Sequence, residues 1–238
     1  MGAILEIRNL TKIYSGGKKA VDGLSLSVEA GDIFGFIGPN GAGKTSTIRA
    51  VTGVMDFDGG EIFIDGHSVK KDPVLCKSVT AYIPDNPDLY EFLTGIQFLS
   101  YMGDIFEVEK REREILIKKY ADSFGLTGNL GDLISSYSHG MRQKLALIAA
   151  LIHKPRLMVL DEPFVGLDPA ASFLLKSIMR ELCDGGGAIF FSTHILDVAE
   201  KLCDKIAIIK DGRLMASGLT EDVRGDKSLE SVFMEVAK

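Results

Sequence analysis

Two early stretches alternate apolar and polar positions, and each alternation predicts a strand with one buried face. From Ile4 to Leu10, Leu5 and Ile7 interleave with Glu6 and Arg8. From Ala20 to Val28, Leu24, Leu26 and Val28 fall on one face. Ser15-Gly16-Gly17 between them reads as a turn, so the pair predicts a small antiparallel sheet. A different pattern follows. Asp32 to Ile37, Val79 to Ile83, Leu157 to Leu160 and Ala188 to Ser192 are short, nearly unbroken apolar runs. Such runs read as strands buried on both faces, as in a parallel sheet. Glu61 to Ile64 runs into the Asp65-Gly66 turn. Ile206 to Ile209, Asp211-Gly212 and Leu214 to Ala216 predict a hairpin.

Helical signals fill the intervals. They cover Thr45 to Val51, Thr94 to Met102, Glu107 to Phe124, Leu196 to Leu202 and Leu229 to Val236. Met141, Leu145, Ile148 and Ile152 repeat at helical spacing, and Lys154-Pro155 stops that helix. Asp168-Pro169 begins another, which runs to about Leu182 with proline at its first position. In the Glu107–Phe124 helix, Glu107/Arg111, Glu109/Arg113 and Glu114/Lys118 stand four apart in the favourable order. They predict a solvated face laced by ion pairs. The whole reads as α/β. Residues 1–85 and 155–217 form a core with a parallel sheet and an antiparallel β subdomain. Residues 86–154 form an inserted all-helical subdomain, and 218–238 a polar tail carrying one amphipathic helix.

Composition narrows the class. The 238 residues are 46 % hydrophobic and 25 % charged, which suits a folded core without disulfides or structural metal. A net charge of −6, with no basic run, argues against a nucleic-acid partner. The three cysteines, Cys76, Cys183 and Cys203, lack metal-type spacing and read as packing residues in a reducing compartment. Met1 to Arg8 is no signal peptide, and no apolar run approaches the ~20 residues of a membrane span. Any work at a membrane therefore needs a partner that spans it.

The chemistry is concentrated in Gly38-Pro39-Asn40-Gly41-Ala42-Gly43-Lys44-Thr45, which satisfies G-x-x-x-x-G-K-[ST] between a predicted strand and a predicted helix. Glycines there let backbone N–H groups approach phosphate oxygens, and the helix start adds partial positive charge. Lys44 is placed to reach the β- and γ-phosphates of a nucleotide, and Thr45 to ligate Mg²⁺. Asp161 and Glu162 end a buried strand, where α/β proteins place ligand chemistry. Adjacent residues on an extended chain point to opposite sides. One carboxylate can then serve Mg²⁺ while the other orients a water. His194, after another buried strand, is a candidate sensor of the γ-phosphate. Tyr137-Ser138-His139-Gly140-Met141 opens a helix in the insertion. Ser138 is at least an N-cap. With the Gly140 N–H it also offers an anion site, one suited to the P-loop of a second molecule.

These motifs, in this order, resemble the ATP-binding subunits of ABC transporters from about Ile4 to Ser217. The resemblance implies a P-loop NTPase core. It assigns Tyr14 to stack on adenine, and Gly38, Pro39, Asn40, Gly41, Ala42, Gly43, Lys44, Thr45 and Ser46 to bind ATP. It makes Glu162 the general base, His194 the switch histidine, and Thr45, Asp161 and Asp85 the Mg²⁺ side of the site. Ser138, His139, Gly140 and Met141 stand at the signature that meets ATP across a dimer, and Asp168 in the loop beside it. Three positions depart from the family pattern: Asp85 replaces a glutamine, His139 a glycine and Met141 a glutamine. The implied function is hydrolysis of MgATP in a head-to-tail dimer, identical or mixed. That dimer drives transport, export in the branch it most resembles, through a separate membrane permease at the cytoplasmic face of the membrane. The alternative is a soluble ATPase of the same type acting on a macromolecular complex. Leu89, Tyr90 and Phe92, after Asp85, either tuck into the local core or line a groove for the permease.

Overall fold

The computed structural model describes residues 2–236. The two early strands, β1 (Ala3–Ile13) and β2 (Lys19–Glu29), pair antiparallel. After β3 (Ile33–Ile37) and α1 (Lys44–Val51), β4 (Gly59–Ile64) joins the other edge of β1, and β5 (His67–Ser68) follows through the Asp65-Gly66 turn. This gives a four-stranded antiparallel sheet ordered β2-β1-β4-β5.

The second sheet carries the apolar runs. Next in the chain come α2 (Pro73–Ser78), β6 (Thr80–Ile83), α3 (Gly95–Ile105), α4 (Lys110–Ser123) and α5 (His139–Leu151). Then follow β7 (Leu157–Asp161), α6 (Pro169–Asp184), β8 (Ala188–Thr193), α7 (Leu196–Leu202), β9 (Lys205–Lys210) and β10 (Arg213–Leu219). The strand order is β10-β9-β3-β8-β7-β6, parallel throughout except for the β9–β10 hairpin. The central strands are buried on both faces because two cores meet at this sheet. Phe34, Phe36, Val159 and Phe190 point to the core shared with α1 and the antiparallel sheet. Ile33, Ile37, Leu160 and Phe191 point to the core shared with α5, α6 and the helical insertion. Phe190 lies 5.3 and 5.9 Å from the rings of Phe36 and Phe34, so aromatic packing ties β3 to β8.

The insertion holds α3, α4 and α5. A capping box opens α3: Thr94 accepts from the Gln97 amide, and Gln97 accepts from the Thr94 amide. The expected ion pairs along α4 are not formed. Glu107 lies outside the helix at φ 54, Glu109 caps it by accepting from the Glu112 amide, and Arg113 turns instead to Asp104 and the Ser100 carbonyl. Tertiary partners on α3 outcompete neighbours on an exposed face, where a pair is worth only a few tenths of a kcal/mol.

Two short helices escape the sequence pattern. α2 buries only Cys76, and α8 (Thr220–Arg224) only Thr220, so neither shows periodicity. The C-terminal stretch is docked rather than a free tail. In α9 (Leu229–Val236) Leu229 is fully buried, its amide donates to Glu200 on α7, and Val232 and Phe233 pack against the same core. Cys76, Cys183 and Cys203 are buried free thiols, and burial pushes Cys183 up to about 12.

Candidate functional site

The P-loop crosses from the end of β3 to α1. Gly41 has φ 81 and Gly43 φ 107, conformations that side chains resist. A Cβ on Gly43 would also strike the Ala20 carbonyl on β2, so glycine is required there twice over. Gly43 is the N-cap of α1 and no side chain caps the helix. The first-turn amides thus have no side-chain acceptor, the condition for binding an anion. A cavity of about 460 Å³ lies against them, lined by Tyr14, Ser15, Lys18, Ala20, Pro39, Asn40, Gly41, Gly43, Lys44, Thr45, Ser46, Asp85, Asp161 and Glu162. Gly38 and Ala42 support the loop from behind: a Cβ on Gly38 would meet the Ile209 carbonyl, and Ala42 is buried.

Lys44 is buried, and its Nζ donates to the carbonyls of Gly38 at 2.6 Å and Pro39 at 3.3 Å. Burial lowers its pKa, and the charges of Glu162 and Asp161 partly oppose that. A phosphate at this point would add a further countercharge to that of Glu162 and Asp161. Tyr14 is exposed at the cavity rim. Its hydroxyl shares a hydrogen bond with Ser46 Oγ at 3.2 Å and reaches Met55 Sδ at 3.2 Å, while Lys12 lies 5.7 Å above the ring.

Asp161 and Glu162 both line the P-loop cavity, and the chain between them is not extended. Glu162 has φ 49, a left-handed turn immediately after β7. The left-handed region is uncommon for a residue with a side chain. Ser192 on β8, the register partner of Asp161, fixes the turn. Its Oγ donates to Asp161 Oδ1 at 2.5 Å and accepts from the Glu162 amide at 3.1 Å. The Glu162 carboxylate then stands between two groups: Oε1 is 3.8 Å from Lys44 Nζ, and Oε2 is 3.0 Å from His194 Nδ1. The His194 amide also donates to Oε2 at 3.3 Å. Ser192 was not among the sequence candidates. Its only signal is a hydroxyl at the end of a buried apolar run, and the register with β7 that gives it meaning is tertiary.

The donor set suits a hard divalent cation. Thr45, Asp85 and Asp161 all bring oxygen-bearing side chains to the cavity. Among the described residues, no group of three or more His, Cys, Asp or Glu could hold a metal by itself. The set fits Mg²⁺, an ion that usually keeps water and phosphate oxygens among its ligands.

Ser138, His139, Gly140 and Met141 do not line this cavity. Ser138 caps α5, its hydroxyl accepting from the Met141 amide at 3.3 Å, and His139 is exposed. Lys144, one turn on, pairs with Asp168 at 2.6 Å, and that lysine holds the Asp168 carboxyl below its usual range. Leu89 lines a second groove, about 360 Å³, between the core and the insertion, with Val51, Pro84, Phe98, Met102, Phe106 and His153. Tyr90 and Phe92 do not line it. They stand beside it in an exposed aromatic patch, Tyr90 lying 5.7 to 6.3 Å from Phe92, Phe98 and Tyr101.

Residues 21–165 match the family described as ABC transporter. The chain is 36 % identical over 237 residues to an uncharacterized ABC transporter ATP-binding protein of Bacillus subtilis, covering 99 % of this chain and 76 % of that one. It is also 36 % identical over 220 residues to the daunorubicin/doxorubicin resistance ATP-binding protein of Streptomyces peucetius, covering 92 % and 66 %. A solved ATP-binding subunit of an ABC transporter superposes with a TM-score of 0.95 at 33 % identity, covering 99 % of this chain and all of that one. A glycine loop opening an uncapped helix, an acidic strand end beside it and likeness along nearly the whole chain agree: the chain belongs to the ABC transporter family, as an ATP-binding subunit that hydrolyses ATP.

Proposed function

We propose that this subunit hydrolyses MgATP at two composite sites in a head-to-tail dimer and drives export through a separate membrane permease, at the cytoplasmic face of the membrane. The observation that carries the reading is the Glu162 carboxylate, held between Lys44 and His194 at the P-loop cavity. In this reading the P-loop residues 38–46 bind the phosphates and Tyr14 stacks on the adenine. Lys44 neutralises the β- and γ-phosphates as charge develops. Glu162 accepts the proton of the attacking water, and His194 orients that carboxylate. Thr45, Asp161 and Asp85 would hold Mg²⁺, which when bound neutralises phosphate charge.

The dimer follows from what the cavity lacks. The helix start at Ser138, His139, Gly140 and Met141 is outside it, so the phosphate it suits belongs to a second subunit. Export is supported by relatives named for drug resistance and for Nod factor export. Among the described residues no helix is long and apolar enough to cross a membrane, so the reading includes a permease, docked at the groove behind Leu89.

The test is steady-state ATPase activity with parallel ATP binding. Lys44→Ala should bind ATP at least about tenfold more weakly, since a buried charge facing phosphate is lost. Glu162→Gln should bind ATP as the wild type does and lose about 10²–10⁴-fold in turnover, the range for a general base. Full turnover in Glu162→Gln would remove the glutamate from the reaction.

A further inference from the structure

We propose that His139 is a positioning residue, clamping the loop 163–168 to α5 and thereby coupling the helical insertion to Glu162 within one subunit. The proposal rests on the role of Glu162 given above. Three contacts make the clamp. The His139 imidazole lies over Gly166, so that a Cβ built on Gly166 would be 2.5 Å from Cδ2 and 2.7 Å from Nε2. Gly166 has φ 82, a conformation that favours glycine, and its lack of a side chain leaves room for the ring. Gly140 then rests on the Gly166 carbonyl, a Cβ there lying 3.0 Å from the oxygen. One turn later, on the same face of α5, Lys144 Nζ binds Asp168 Oδ2 at 2.6 Å. The other oxygen of Asp168 accepts from the Ala171 amide at 2.8 Å and caps α6. The loop is therefore held at Gly166 and Asp168 by the first two turns of α5.

Its other end is Glu162. The Glu162 amide is anchored to Ser192 on β8, through Oγ at 3.1 Å and the carbonyl at 3.3 Å. Its carbonyl faces the loop and accepts from the Val165 amide at 3.1 Å. The left-handed residue is thus a pivot between a fixed strand and a loop held by α5. A shift of α5 turns the pivot and changes the distances from the carboxylate to Lys44 and His194. A glycine at position 139 would present no ring to Gly166, so this chain gains a contact from its departure. The route bypasses Asp85, the other connection from the insertion to the site.

The experiment is hydrogen exchange on the full chain as a nucleotide-free monomer, read over residues 163–168, in wild type, His139→Gly and His139→Phe. His139→Gly should speed exchange in that segment roughly tenfold, with α1 and β3 unchanged, because a local opening has been made easier. His139→Phe keeps a flat ring over Gly166 and should restore protection. In parallel, His139→Gly should lower kcat for ATP and leave KM unchanged. Lys144→Met should loosen the same segment, which keeps the test decisive should His139→Gly fail to fold. Unchanged exchange in the soluble variants overturns the clamp. So does a raised KM alone, which would mark a contact to nucleotide across the dimer. An inactive wild type would reject the function proposed above, while the exchange data still decide the clamp.

Discussion

His153 carries a titration that the chemistry of the site does not use. Its ring stacks on Phe106 at 3.8 Å, and both ring nitrogens are buried without a hydrogen bond. The backbones of Thr80 and Ala149 face it but do not reach bonding geometry. Burial pushes its pKa down to about 4, because the charged ring would be desolvated. The sign follows from linkage: the unfolded chain takes up a proton near pH 6.5, while the folded chain does so only near 4. Stability from this residue is therefore complete above about pH 6.5 and falls as pH drops from 6.5 towards 4. We expect denaturant unfolding to show a loss on the order of 1–3 kcal/mol across that window, largely absent in His153→Phe. Equal pH dependence in both proteins would show that other groups dominate.

At the scale of elements, the connection from β6 to α3 does two things. Leu89 tucks into the groove, while Tyr90 and Phe92 remain exposed on its rim, at 47 % and 76 %. An aromatic patch of this kind, continuous with an apolar groove, is the type of surface a partner covers. Tyr90 makes edge contacts with Phe98 and Tyr101 but fills no cavity, so its loss leaves the core intact. Tyr90→Ala should therefore keep the ATPase rate of the isolated subunit within about twofold, as for a surface substitution, and keep its melting point. Co-purification with the membrane permease proposed as its partner should weaken, as hot-spot aromatics dictate. If the variant unfolds, or if complex and transport both survive, Tyr90 has no docking role.

The whole molecule presents the P-loop cavity and the start of α5 as separate surfaces, and in the proposed dimer a second subunit brings them together. Nucleotide should then control assembly. Glu162→Gln, which holds ATP unhydrolysed, is expected to run at twice the monomer mass with MgATP and to return towards monomer with ADP. Light scattering after size exclusion measures this directly. A monomer in both states at high concentration would reject the composite site. The clamp on residues 163–168 places Asp168 beside α5, so a dimer closing on Ser138 and Gly140 would meet that loop as well.

Much of this was legible in the sequence because it is local. Glycine spacing, an apolar run ending in Asp161-Glu162 and a capping serine are each written within ten residues, and periodicity alone placed nearly every strand. The exceptions were of two kinds. α2 and α8 bury one residue each and so leave no pattern. Of the ion pairs expected along α4, Glu109/Arg113 failed because Asp104 and Ser100, set beside Arg113 by packing, bind it instead, and Glu107/Arg111 because Glu107 lies outside the helix. Only the tertiary structure could decide how the proposed catalytic groups meet. The turn at Glu162 is left-handed because Ser192 from β8 holds it, and the carboxylate reaches Lys44 and His194 because three strands end side by side. Residue types carry the chemistry, but distances between segments far apart in the chain come from the sheet register and the two cores that enforce it.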